Sequence, residues 1–149
     1  MLRVGDKAPH FTLHNQDGNP LDMAQYIGKQ ALVIYFYPKN FTPGCTAEAC
    51  SFRDSFEDFT DAGAQVFGIS NDSVASHARF AKKYRLPFSV LSDPRGKIRK
   101  LYGVKSDLMG LLPGRETFVI DAQGVLQMRF NSMQASRHLD KALKRIKSL

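Results

Sequence analysis

The chain has 149 residues, 43% of them apolar and 23% charged, with only two cysteines. That length can bury a real core and fits one domain over residues 1–149, while two cysteines are too few for a disulfide scaffold. The net charge is +7, but no zinc finger, aromatic-basic RNA signature or Gly-rich phosphate loop accompanies it, which argues against nucleic-acid binding, and no run approaches the roughly 18 apolar residues that span a bilayer.

The opening stretch MLRVGDKAPHFTLHNQDG has no continuous apolar core, so no secretory signal is expected, and the sparse cysteines make a reducing cytoplasmic setting the default. HFTLHNQDGNPLDM alternates and turns at Asp17-Gly18, which predicts an N-terminal hairpin. ALVIYFY (31–37) is a continuous β-branched and aromatic run of the kind buried on both faces of a sheet. Pro38 ends it, having no N–H for the ladder. A helix is predicted over 43–62, with Thr42 as N-cap, Pro43 in the first turn and Gly63 as stop. Its apolar stripe of Cys45, Ala49, Phe52, Phe56 and Phe59 keeps to one face.

AQVFGIS (64–70) reads as a second buried strand. SVASHARFAKKYR reads as a helix capped by Asp72, and FSVLSD as a short strand after Pro87. DPRGKIRKLYG has the cap-and-proline start and glycine stop of one short helix. ETFVIDAQGVLQMRF is a hairpin turning around Ala122-Gln123-Gly124. A last helix, basic along RHLDKALKRIKSL, runs from about Ala135. This alternation is that of an α/β fold with a central mixed sheet flanked by helices.

The chemistry gathers in YPKNFTPGCTAEAC (37–50), which holds both cysteines. Cys45 falls in the first turn of its helix, where unpaired N–H groups and the positive end of the dipole favour thiolate over thiol. Cys50 is five residues on, which in an intact helix is a Cα separation of about 8–9 Å. A disulfide needs about 7 Å or less. Either the two never bridge, or the start of the helix unwinds when they do. His10 and His14 are expected on a hairpin surface, whereas His77 and His138 lie on helices and are available in principle as a base for Cys45.

PKNFTPGC, with Pro38, Thr42 and Cys45 in place, resembles the PxxxTxxC signature of peroxiredoxins. TPGCTAEACSFRD is similar to the peroxiredoxin Q, or bacterioferritin comigratory protein, subfamily, and GRETFVID resembles its arginine strand. The resemblance covers nearly the whole chain and implies a thioredoxin-like fold. It further implies that Cys45 is the peroxidatic nucleophile and Cys50 the resolving thiol. Arg115 would stabilise the thiolate and bind the peroxide, Thr42 would hydrogen-bond peroxide or sulfur, and Pro38 would shield the sulfur. The implied partners are hydrogen peroxide or an organic hydroperoxide and thioredoxin or a similar dithiol reductant, with no bound cofactor or metal. The subfamily leans towards a monomer; an exposed apolar loop would lean towards a dimer.

KSDLMGLLPGRE (105–116) departs from the family pattern, and its Leu108, Met109, Leu111 and Leu112 are expected to pack on the core. Three other readings compete: a thioredoxin-like disulfide oxidoreductase, a Cys–His hydrolase and a basic non-catalytic interaction module. The missing CxxC and the missing histidine motif weigh against the first two.

Overall fold

The apolar run after Gln30 becomes the middle of the molecule. The computed structural model describes residues 2–106 and 113–149. Among these are strands β1 (Thr12–His14), β2 (Pro20–Asp22), β3 (Ala31–Phe36), β4 (Ala64–Ser70), β5 (Ser89–Ser92), β6 (Glu116–Ile120) and β7 (Leu126–Asn131). The helices are α1 (Pro43–Asp54), α2 (Phe56–Asp61), α3 (Val74–Tyr84), α4 (Lys97–Leu101) and α5 (Ser136–Lys147). They build one mixed sheet in the order β2-β1-β5-β4-β3-β6-β7. β3, β4 and β5 run parallel; β6 and β7 on one side and the β1–β2 hairpin on the other are antiparallel additions.

Side chains alternate across β3 and feed two core layers. Leu32, Ile34 and Phe36 join Phe11, Met23, Ile69, Tyr102 and Phe118 on one face. Val33, Tyr35 and Tyr37 join Cys45, Phe52, Phe59 and Ile146 on the other. Each large apolar side chain so buried contributes about 1.5–3 kcal/mol relative to exposure. The Tyr35 ring stacks on Phe52 at a centroid distance of 4.6 Å and lies over Gly68 of the neighbouring strand, where a Cβ would stand 2.8 Å from the ring. Only glycine fits there.

The structure corrects several local readings. The helix over 43–62 is broken at Ser55, whose φ of −105° and ψ of 10° leave the helical region. Phe52 and Phe59, on either side of the break, are both fully buried with centroids 5.6 Å apart. Asp72 does not cap α3. Ser73 does, accepting from the Ser76 N–H at 3.1 Å, because Asp72 is engaged by Ser70 Oγ and the Asn40 N–H. Asp93 does hold the start of α4, accepting from the Ile98 and Arg99 N–H groups, but the helix begins only at Lys97, after a left-handed Gly96. A single 3-10 turn at Met23–Gln25 was not anticipated. The segment carrying Leu108, Met109, Leu111 and Leu112 lies outside the described residues. Among the described residues, no helix is long and apolar enough to cross a membrane.

Candidate active site

The C-terminal end of β3 is where the sheet hands the chain to α1, and ligands in α/β sheets bind at such ends. Phe36 pairs with Glu116, so the antiparallel β6 brings Arg115 to the same edge. The loop between β3 and α1 is pinned from below. Tyr37 donates its hydroxyl proton to Asn40 Oδ1 at 2.6 Å. The Asn40 backbone N–H donates to Asp72 at 2.9 Å, and its side-chain amide donates to His77 Nδ1 at 3.0 Å. Phe41 takes a φ of 66°, a left-handed conformation that costs a bulky residue about 1–3 kcal/mol. Its ring, edge-on to Phe80 at 5.2 Å, helps hold it there. Arg99, buried beneath, donates to the Gly114 and Tyr37 carbonyls at 2.6 and 2.8 Å. It ties together the two backbone segments that carry Arg115 and Pro38.

On this base, Cys45 Sγ lies 3.2 Å from Arg115 Nη2, and both residues are buried. Arg115 Nη1 donates to Glu48 Oε1 at 2.5 Å. The guanidinium thus forks between a sulfur and a carboxylate one helical turn apart. Burial works against the arginine's charge, but Glu48 and Cys45 outweigh it and push its pKa above the ordinary value. Burial pushes the Glu48 carboxyl up from 4.5 to about 7, against the pull of Arg115. Glu48 Oε2 has no hydrogen-bond partner among the described residues and stands 3.8 Å from His138 Nδ1. His138 donates from Nε2 to the Ser132 carbonyl and accepts at Nδ1 from the Thr117 hydroxyl, both at 2.7 Å. Burial lowers its pKa, which keeps it neutral.

A cleft of about 410 Å³ opens onto the sulfur, lined by Pro38, Thr42, Cys45 and Arg115, with Pro113 and Met133 as apolar walls. All five sequence-derived candidates lie in this neighbourhood: four line the cleft, and Cys50 sits further along α1, half-buried. Both cysteines are free thiols, and α1 is helical through both. Thr42 occupies the N-cap position but makes no capping bond with its side chain. Its hydroxyl donates instead to the Lys39 carbonyl at 2.7 Å, which leaves its lone pairs free to accept. Neither helical histidine serves the sulfur. The ring nitrogens of His77 face Asn40 and Ser70, and those of His138 face Thr117 and Ser132. Glu48, Asn40 and Arg99 went unread in the sequence. Glu48 alone left a signal there, since it falls between Cys45 and Ala49 on the buried face of the helix.

A buried sulfur held against a fixed guanidinium at a helix start, with a cleft above it and no imidazole to act as base, belongs to proteins that reduce peroxides with their own thiol; the molecule is a thiol-dependent peroxidase with a thioredoxin-like fold. Comparison with known proteins makes the assignment particular. Residues 4–129 match the model of the AhpC/TSA family. The chain is 53% identical over 146 residues to the chloroplastic peroxiredoxin Q of Sedum lineare, covering 97% of this chain and 78% of that one. It is also 53% identical over 149 residues to that of Populus jackii, covering 99% and 70%. The crystal structure of peroxidoxin BcpB from Mycobacterium tuberculosis superposes with a TM-score of 0.91 at 36% identity, over 100% of this chain and 99% of that one. The chain belongs to the AhpC/TSA family, in its peroxiredoxin Q branch. Membership implies a peroxide substrate and a thioredoxin-type reductant. The cytoplasmic setting expected from the sequence is corrected: these plant relatives are chloroplastic proteins by name. Sparse cysteines carry no address.

Proposed function

We propose that Cys45 is the sulfur that reduces the peroxide, and the observation that carries this is Arg115 Nη2 at 3.2 Å from its Sγ inside the cleft. The guanidinium and the start of α1 supply positive charge to the thiolate. A peroxide bound above the sulfur donates its O–H to the free lone pairs of Thr42 Oγ1 and accepts from Arg115. The thiolate attacks the nearer oxygen and the O–O bond breaks as the S–O bond forms; the peroxide's own proton passes to the departing oxygen, which leaves as water or an alcohol, and one further proton converts the sulfenate left on sulfur to a sulfenic acid. Pro38 covers the approach and limits water at the sulfur. The cleft is larger than hydrogen peroxide needs, and its walls at Pro113 and Met133 accommodate the organic part of a hydroperoxide.

Cys50 then condenses with the sulfenic acid, releasing water and forming an intramolecular disulfide. Since an intact helix holds these Cα atoms about 8–9 Å apart, α1 unwinds from its N-terminal end in this step. A thioredoxin-type dithiol reduces the disulfide. The chain acts as a monomer, and residues 1–149 act as one domain, the latter supported by the single continuous sheet.

The test is peroxide-dependent oxidation of a thioredoxin system. Cys45→Ser is expected to abolish turnover. Arg115→Met is expected to lower the rate of Cys45 oxidation by about 100- to 1000-fold, as loss of one preorganised donor does elsewhere. Cys50→Ser is expected to lose turnover with thioredoxin while keeping it with a small thiol. Turnover that survives Cys45→Ser would overturn the assignment.

A further inference from the structure

One buried cation serves two buried acids. Arg115 gives one amino group to Cys45 and the other to Glu48, and both acids are about 1% exposed. With one acid ionised the trio is neutral; with both it carries a net buried negative charge, which low-polarity surroundings penalise. Among the described residues, the rest of the shell offers no second cation to Glu48. From β3 it faces the phenols of Tyr35 and Tyr37, which burial keeps neutral. From α5 it faces neutral His138, itself under the opposed influence of Glu116 and Arg137. On its own helix, Cys45 shares Arg115 with it. The unpartnered Oε2 is where a proton would sit.

We propose that Glu48 is a redox-linked proton carrier: it holds a proton while Cys45 is a thiolate and gives it up when Cys45 is oxidised. Two acids that share one cationic partner are coupled through it, so loss of charge at one favours ionisation of the other. Oxidation removes the charge on sulfur and frees Arg115 for the carboxylate. Unwinding of α1, the helix that carries Glu48, also takes the carboxyl out of its burial. The balance is complete. Cys45 thiolate, Cys50 thiol, hydrogen peroxide and the protonated Glu48 carboxyl become the disulfide, two waters and the Glu48 carboxylate. Both sulfurs are oxidised, the O–O bond is reduced, and the fourth hydrogen of the two waters is the one Glu48 releases. By linkage, a falling pH favours the reduced, folded site and a rising pH the oxidised, unwound one. Glu48 is a positioning and charge-balancing residue that acts through Arg115.

This inference rests on the reading of Cys45 and Cys50 as the reacting pair, and the test separates the two. Reduced protein in weakly buffered solution near neutral pH receives one equivalent of hydrogen peroxide. An indicator dye follows bulk proton uptake while intact mass follows loss of two hydrogens. Wild type is expected to take up markedly less than one proton per disulfide, and Glu48→Gln about one, because the glutamine has none to give. Equal uptake in two proteins that both form the disulfide overturns the inference and leaves the peroxidase reading standing. No disulfide in wild type overturns the reading of the pair. Because Glu48→Gln has its own folding risk, reduced-minus-oxidised infrared spectra of wild type provide an independent check. The C=O stretch of a protonated carboxyl is expected in the reduced form and lost on oxidation; its absence from the reduced form also overturns the inference.

Discussion

A methyl group at position 44 would stand 3.3 Å from the Arg115 nitrogen that faces Cys45. Gly44→Ala therefore separates function from stability. Alanine is the better helix former by about 1 kcal/mol, so thermal unfolding is expected at an unchanged or higher temperature. A guanidinium moved by a few tenths of an ångström is expected to slow Cys45 oxidation by about tenfold or more. Stopped-flow oxidation of the reduced variant, read beside its melting curve, checks both. Glu48 makes a second residue-scale prediction. Its folded-state value of about 7 lies above the ordinary 4.5, so between these the folded chain binds more protons than the unfolded one. Stability contributed at low pH is then lost as pH rises through that window, by about 3 kcal/mol in full. Buried His77 and His138 have lowered values and act in the opposite sense, losing stability on acidification. Denaturation of reduced wild type against Glu48→Gln, which keeps both histidines, should therefore show the wild type's relative stability falling from pH 4.5 to 7. At this scale the place of Thr42 and Cys45 at a helix start was legible because such a start has a local signature. The Cys45–Arg115 apposition was legible only by resemblance, since 70 residues separate the partners. Glu48 was passed over because a charged residue on a helix ordinarily reads as solvent-facing.

Among the elements, α1 and α2 behave as two pieces where an unbroken helix was expected. The apolar stripe runs across the break because Ser55 turns the chain without changing which residues face the core, so spacing alone could not reveal it. The break has a consequence for the reaction. α1 carries both cysteines, while α2 is anchored by fully buried Phe59. Oxidation is expected to strip amide-exchange protection from residues 44–51 and to leave residues 56–61 protected. Unchanged protection over 44–51 in a protein shown to hold the disulfide would contradict the unwinding. The caps of α3 and α4 show the same limit of local reading. Asp72 and Ser73 are neighbours with equal capping chemistry, and what decides between them is Asn40, which is 32 residues away in sequence and takes the Asp72 carboxylate for the active-site loop.

The whole molecule carries a charge of +7, part of it on the last turn of α5 in Lys144, Arg145 and Lys147. α5, which carries this charge, packs on α1, the helix that would present the disulfide. Reduction by an acidic thioredoxin-type protein is expected to slow as ionic strength rises, whereas reduction by a neutral small dithiol is expected not to. A salt-independent rate with thioredoxin would remove electrostatic steering from the picture. The sheet was the most legible feature at this scale, because strands buried on both faces are largely apolar, as 31–37 is throughout and 64–70 is apart from Gln65 and Ser70. The compartment was the least legible. Everything proposed for the site returns to one sulfur in one cleft, and intact mass with peptide mapping tests that most directly. After one equivalent of hydrogen peroxide, the reduced protein is expected to lose two hydrogens as a Cys45–Cys50 link, and the Cys45→Ser variant to consume no peroxide. Peroxide consumed at an undiminished rate by Cys45→Ser, or oxidation that maps away from Cys45, would contradict it.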